Sequence, residues 1–162
     1  MTLFFYRNPN DLSKGDYMIR EVNENEYEQL MGLYCQLHET SVPEYKGDTK
    51  KLWQRLVNDP DYHFIVAEED RKIVSSCTCI IVPNMTHGPR PYAFVENVVT
   101  DSEYRGRGLA TACLERAREI AKAENCYRLI LMTGSKLDST LNFYRKAGYD
   151  DKEKTGFIQY LD

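Results

Sequence analysis

The sequence predicts a mixed α/β sheet with helices on both faces, in the order β-α-α-β-β-β-α-β-α-β. Three observations carry that expectation. Apolar residues recur at helical spacing early on, at Tyr27, Leu30, Met31, Tyr34, Leu37 and His38. Three runs rich in β-branched and aromatic residues then succeed one another between residues 62 and 100. Beyond residue 100, helical and strand patterns alternate.

Taken in order, residues 1–16 read as an N-terminal arm, turn-rich from Asn8 to Asp16, and residues 17–162 as a single domain. Tyr17 to Val22 reads as a strand, and Asn23 starts the first helix. Thr40 to Gly47, with Pro43, breaks it. Asp48 to Asn58 fits a second helix, with Asp48 as its cap and Leu52, Leu56 and Trp53 as its face. The three central strands are Tyr62 to Ala67, Lys72 to Val82 and Tyr92 to Thr100. The first two are joined by an acidic turn at Glu68, Glu69 and Asp70. Gly108 to Glu124 carries the stripe Ala110, Cys113, Leu114, Ala117, Ile120 and Ala121. Cys126 to Thr133 is nearly continuous in apolar character, which points to an interior strand. Leu137 to Ala147 is a helix stopped by Gly148, and Phe157 to Leu161 is expected to close the sheet as a last strand.

The chain has 162 residues, 21 Lys plus Arg against 25 Asp plus Glu, and a net charge of −4. That balance argues against nucleic-acid binding, which rests on a basic footprint. No apolar run approaches the ~20 residues of a membrane helix, so no membrane partner is expected. Met1 to Arg7 lacks the basic n-region and long apolar run of a secretory signal. Cysteines 35, 77, 79, 113 and 126 are odd in number, and most lie inside apolar runs. They read as reduced core residues, and a cytoplasmic location is expected. Cys77 and Cys79 share a strand face but lack a second pair or a nearby His pair, so no metal is expected. Homodimerisation is left open.

The segment that carries chemistry runs from Val98 to Thr111. A strand enters a glycine-rich turn that opens a helix. Gly106, Gly108 and the small Ala110 leave backbone N–H groups bare for an anion. The helix dipole adds about half a positive charge there, and Arg105 and Arg107 add full ones. The P-loop is set aside, because no Lys-Ser or Lys-Thr comes after these glycines. The dinucleotide fingerprint fits only loosely, and it belongs in an early βαβ unit rather than after an antiparallel run. Taken alone, the segment also reads as a glycine-rich turn into a surface helix with solvated arginines.

Arg105-Gly106-Arg107-Gly108-Leu109-Ala110 resembles the R/Q-x-x-G-x-G/A signature of the GCN5-related N-acetyltransferases (GNAT). Phe143-Tyr144-Arg145-Lys146-Ala147-Gly148-Tyr149 is similar to that family's F-Y-x-x-x-G-F segment. A helix and a strand lie between the two motifs, and the likeness covers roughly Tyr17 to Leu161. Glu96-Asn97-Val98-Val99 and the region Asn125-Cys126-Tyr127 look most like glucosamine-phosphate and other small-molecule N-acetyltransferases.

The resemblance implies the GNAT acyl-CoA N-acyltransferase fold, acetyl-CoA as co-substrate and a small-molecule amine as acceptor. It implies that Arg105, Gly106, Arg107, Gly108, Leu109, Ala110 and Thr111 bind the CoA pyrophosphate. Val98, Val99 and Thr100 would pair through their backbone with the pantetheine arm. The family often has Asn seven residues before its tyrosine. Here that position is Leu137, and Ser139 or Asn142 stands in as a pantetheine contact. Arg116 and Arg118 read as a solvated helix face, with a contact to the CoA 3′-phosphate as the sharper alternative.

Tyr144 is the expected general acid. A phenol, with a reference pKa of ~10, is protonated at neutral pH and can donate to the leaving thiolate. Packing on Phe143 is the plain alternative. Glu96 lies two residues before Val98, which by alternation puts both on one strand face. It is the expected base, or the group that holds the ammonium, or a carboxylate satisfied by a neighbouring Arg or Tyr. His38 and Glu39, at the end of the first helix, and Asn97 are the expected acceptor contacts; His38 also reads as packing. Two other functions share this sequence: a CoA-binding sensor without chemistry, and a peptide or protein N-acetyltransferase.

Overall fold

The strand Lys72–Val82 is buried almost throughout its eleven residues. A strand in an antiparallel run reaches that state only when both faces of the sheet are covered. The protein's structure, a computed structural model, describes residues 4–6, 17–37 and 41–161. Its elements in chain order are β1 (Phe4–Tyr6), β2 (Tyr17–Glu21), α1 (Tyr27–Tyr34), α2 (Gly47–Val57), β3 (Tyr62–Glu69), β4 (Lys72–Val82), β5 (Tyr92–Thr100), α3 (Leu109–Ala123), β6 (Leu129–Leu131) and α4 (Asp138–Lys146). Short 3-10 turns precede α1 and α3, at Glu24–Glu26 and Ser102–Tyr104.

The six strands lie in the order β1-β2-β3-β4-β5-β6. Each neighbour pair is antiparallel except β5 and β6, which are parallel. That parallel step requires a crossover, and α3 supplies it. One core layer packs Cys113, Leu114, Ala117, Ile120 and Ala121 of α3 onto Ile65, Val74, Cys77, Cys79, Ala93 and Val95 of the sheet. The other packs Tyr27, Leu30, Leu33, Tyr34 and Trp53 of α1 and α2 onto Phe64, Val66, Ile73 and Val99. Trp53 anchors the second layer. It lies edge-on to Tyr27 and tilted against Phe64, and its Nε1 donates to the Glu24 carbonyl at 2.7 Å. Truncating such a residue costs about 3–5 kcal/mol.

Several expectations change. Asp48 does not cap α2. Lys46 occupies the cap position, and Asp48 pairs with Lys51 at 3.1 Å one turn on. The face of α2 centres on Trp53, while Leu52 stays exposed. The run Cys126 to Thr133 yields only the three-residue β6, at the sheet edge and half-buried rather than interior. Cys126, Leu129 and Leu131 of the run pack on the α3 layer. Phe157 to Leu161 is not a strand; among the described residues nothing hydrogen-bonds to its backbone. The arm contributes β1, which pairs with β2, and residues 7–16 lie outside the described residues.

Candidate acetyl-transfer site

The site begins where the sheet comes apart. β5 and β6 pair only at Ala93↔Leu129, Phe94↔Ile130 and Val95↔Leu131. Beyond that point β5 continues to Thr100 on β4 alone, so the β6-facing edge of Glu96 to Thr100 carries no strand. The opening is a slot lined by backbone N–H and C=O groups, suited to an extended chain that carries amides of its own.

A bulge sits at the head of the slot. The register steps from Ser76↔Val99 to Thr78↔Glu96, so Asn97 and Val98 together oppose Cys77. Asn97 takes φ 53°, a left-handed conformation that Asn tolerates better than most residues. The inserted residue drops out of the ladder and reverses the facing of the residues after it. Val95 and Val98 therefore pack on the α3 layer, and Val99 on the α1 layer. Glu96 and Val98 thus do not share a face, contrary to plain alternation. Glu96 looks toward the α1 and α2 side, and it bears on the phenols of both Tyr62 and Tyr144.

Past Thr100 the chain turns through Gly106 (φ 73°) and Gly108 (φ 81°) into α3. Gly108 is the N-cap and offers no side-chain cap, and the first turn of α3 holds no acidic residue. The first N–H groups of α3 are left for a ligand anion. A Cβ at Gly106 or Gly108 would meet nothing within 4 Å. Leu109 is fully buried and anchors the helix in the core, so only its backbone faces the cradle. Ala110 is half-buried and Thr111 exposed.

The arginines are more constrained than their charges suggest. Arg107 is bound by Glu69 at 2.5 Å and lies over the Tyr104 ring, 5.3 Å from its centre. Arg105 folds back to donate to the Thr100 carbonyl at 3.2 Å. Lys72 also lies over the Tyr104 ring and pairs with Asp101 at 2.8 Å. Asp101 in turn accepts from the Glu103 N–H, and the Lys72 ammonium holds its carboxyl below the usual range. Thr100 Oγ1 meets Ser75 Oγ at 2.8 Å. The cradle is thus braced from β3, β4 and β5 before any ligand arrives.

On the α3 side of the slot stands α4. Tyr144 is half-buried against that core layer, beside Phe143 and edge-on to Tyr149. Burial foremost, then Cys77 and Glu96, raise its pKa, so it keeps its proton at neutral pH. Tyr149 was visible in the sequence only as the end of its motif. Its hydroxyl is buried without a hydrogen-bond partner among the described residues, and burial pushes its pKa up. Ser139 and Asn142 are both exposed, and Asn142 accepts from Arg145 at 2.8 Å. Arg118 pairs with Glu115 and Arg116 with Glu119 along α3, as a solvated face would. His38 and Glu39 lie outside the described residues.

Cysteine chemistry finds no support in the core. Cys77, Cys79 and Cys113 are fully buried, and burial pushes the thiols of Cys79 and Cys113 up to about 12. Thiolate is the nucleophilic form, so these groups are inert. No metal-binding cluster exists among the described residues, and no helix there is long and apolar enough to cross a membrane.

A splayed parallel strand pair, a bulge and a helix N-terminus follow one another along β5 into α3. The model of the acetyltransferase (GNAT) family matches residues 27–149. The chain belongs to that family. GNAT proteins use acetyl-CoA. Glucosamine 6-phosphate N-acetyltransferase of Trypanosoma brucei brucei is 37% identical over 83 residues, 51% of this chain and 54% of that protein. The chain spans little more than half the length of such curated relatives, with 62% and 57% for the next two. An Agrobacterium tumefaciens protein assigned to the acetyltransferases superposes with a TM-score of 0.80 at 35% identity, covering 88% of this chain and 99% of that one. Glucosamine-6-phosphate N-acetyltransferase of Arabidopsis thaliana superposes at 0.79 with 22% identity over 90% of this chain and 99% of that one; at that identity the likeness speaks for the GNAT fold.

Proposed function

We propose that the protein transfers the acetyl group of acetyl-CoA to a primary amine of a small molecule, by direct attack within a ternary complex. The observation that carries this reading is the alignment of three features. The cradle before α3 suits a pyrophosphate, the open edge from Val98 to Thr100 suits the pantetheine amides, and the bulge beside Glu96 and Tyr144 marks where the thioester would lie. Residues 17–162 form the acetyltransferase domain of this reading.

The amine nitrogen attacks the thioester carbon, and the C–S bond breaks as the CoA sulfur leaves. Tyr144 Oη donates its proton to that sulfur, which its raised pKa leaves available at neutral pH, and the phenolate is reprotonated by the proton that the acylated nitrogen sheds as the amide forms. Glu96, on the acceptor side, takes the proton lost by the ammonium, directly or through water, or holds the ammonium in place. Asn97 Nδ2 and Oδ1, exposed at the bulge, offer further polar contact to the acceptor. Arg107, tied to Glu69, positions the cradle rather than reaching freely for phosphate.

The test is release of CoA thiol over a panel of amines. Glucosamine 6-phosphate leads the panel because relatives are named for it, then aminoglycosides, polyamines, free amino acids and peptides. Saturable turnover on one of the small amines supports the reading. Turnover on peptides alone moves the acceptor to a protein, and saturable acetyl-CoA binding without turnover on any amine removes the chemistry.

A further inference from the structure

Two hydroxyls stand behind the bulge. Ser76 and Thr78 of β4 flank Cys77, the residue that Asn97 and Val98 together oppose. Cys77 belongs to the α3 layer, so its two neighbours turn toward α1. Both are fully buried, and a buried hydroxyl without a partner costs free energy. The partner comes from α1. Tyr34 Oη lies 3.1 Å from Thr78 Oγ1, and the Ser76 hydroxyl also bears on the Tyr34 phenol. Ser76 Oγ itself has no hydrogen-bond partner among the described residues, so Thr78 is the one that Tyr34 holds.

Acidity sets the direction of that bond. A phenol is a stronger acid than an aliphatic alcohol, so Tyr34 donates and Thr78 accepts. Burial pushes the Tyr34 pKa up to about 12, so the proton is in place throughout the neutral range. Thr78 then keeps its own proton to give, on the side of Oγ1 away from Tyr34. Across the strand pair Thr78 stands opposite Glu96. The Cβ atoms of such a pair lie about 4.5–5.5 Å apart, within reach of a hydrogen bond between the two side chains. After burial, Glu96 is among the causes that raise the phenols of Tyr62 on β3 and Tyr144 on α4, which face it. From α2 this layer receives Trp53, Leu56 and Val57, none of them titratable.

We propose that Tyr34 is a positioning residue for acetyl transfer: by fixing the hydroxyl of Thr78 it turns that proton toward Glu96, and so holds the carboxylate charged and in place beside the bulge. The inference rests on the reading of Glu96 as the carboxylate of the acceptor side. Hydroxyls fixed in one direction strengthen one another, and donation to a carboxylate favours its charged form. Without the Tyr34 proton, Thr78 is free to turn to Ser76 Oγ, which has no other partner among the described residues. Tyr34 reaches the site only through Thr78, so its effect on the reaction is carried entirely by Glu96.

Carboxyl-carbon NMR titration of the full chain, labelled at glutamate, tests this without any acceptor. Tyr34→Phe keeps the ring and removes the proton. Glu96 should then titrate about 0.5–1 unit higher than in the parent, with acetyl-CoA affinity unchanged. Thr78→Val should give the same shift and Thr78→Ser none. Tyr27→Phe is the control, because Tyr27 Oη donates to the Pro43 carbonyl at 2.9 Å in the same layer. It should cost similar stability and leave Glu96 where it is. With the amine that turnover identifies, Tyr34→Phe should lower kcat/KM by roughly 3- to 10-fold and move its acid limb with the titration. On a Glu96→Gln background it should change nothing further. A Glu96 titration that stays put in both Tyr34→Phe and Thr78→Val overturns the proposal. So does an equal shift in Tyr27→Phe, or a fall in kcat/KM that is the same with and without Glu96. Glu96→Gln turning over at the parent's rate would overturn the reading of Glu96, and the positioning role with it, while the titration shift remained.

Discussion

Replacing Gly108 by alanine tests the cradle most directly, because the structure separates its two effects. Gly108 has φ 81°, and a Cβ there meets nothing within 4 Å. No clash with the fold is expected, only the strain of a left-handed residue, about 1–2 kcal/mol. For a domain of this size that lowers Tm by about 2–8 °C. The added methyl projects into the space before the first N–H groups of α3, where the pyrophosphate would lie. Losing one hydrogen bond to a charged group costs about 1.5–3 kcal/mol, or roughly 10- to 150-fold in acetyl-CoA affinity. Gly88 supplies the control. It has φ 74°, also meets nothing within 4 Å, and sits in the loop between β4 and β5. Gly88→Ala should lower Tm by a similar amount and leave affinity alone. Calorimetric titration of both folded variants, with thermal melts alongside, decides the matter. If Gly108→Ala loses the same stability as Gly88→Ala and binds acetyl-CoA as the parent does, the glycine serves only the turn and the cradle assignment fails.

Three further substitutions probe the remaining roles. Tyr144→Phe keeps the ring beside Phe143 and Tyr149 and removes the proton; kcat should fall by roughly 10²–10⁴ with acetyl-CoA affinity unchanged, and a fall of only a few-fold would leave Tyr144 as packing. Glu96→Gln should lower kcat/KM mainly near neutral pH, with partial recovery as the pH rises and solution supplies neutral amine. A loss equal at every pH would mean that Glu96 only positions the ammonium. Asp101→Asn keeps the cap on Glu103 but breaks the pair with Lys72, removing up to about 1 kcal/mol at pH 7. Because the folded-state pKa of Asp101 is depressed, its contribution is complete above the unfolded value of ~3.9 and lost as the pH falls through the folded value. Urea titrations of both proteins should therefore differ at pH 7 and converge near pH 2; a gap that persists in acid would rule out the ion pair as its source.

Local patterns were the legible ones. The α3 stripe from Cys113 to Ala121 and the stop at Gly148 repeat within a helical turn or two, so neighbouring residues suffice to reveal them. The glycine turn into α3 was legible for the same reason, since glycine spacing and an adjoining helix are both local. What escaped depends on partners far along the chain. Arg107 looks like a free charge until Glu69, 38 positions earlier, is brought beside it. The apolar run after Cys126 has the composition of an interior strand, yet it meets one neighbouring strand only over Leu129–Leu131. Phe157 to Leu161 reads as a strand because it has a strand's composition, but pairing belongs to the edge it meets and not to the segment itself. Tyr149 gave no signal beyond its motif, because an unpartnered hydroxyl is a property of the surrounding core.

In the proposed reading, the inserted Asn97 also makes the acceptor and donor sides of the protein separable. Val95 and Val99 are four residues apart and would line one side of a regular strand, yet they answer to opposite helix layers. Side chains before the insertion can be exchanged to suit a new acceptor without re-facing those that run along the donor groove, and the reverse holds. Deleting Asn97 would join the two halves into one phase. Glu96 or Val99 would then have to cross to the other layer, so acceptor preference and donor binding would become a single trait that changes together.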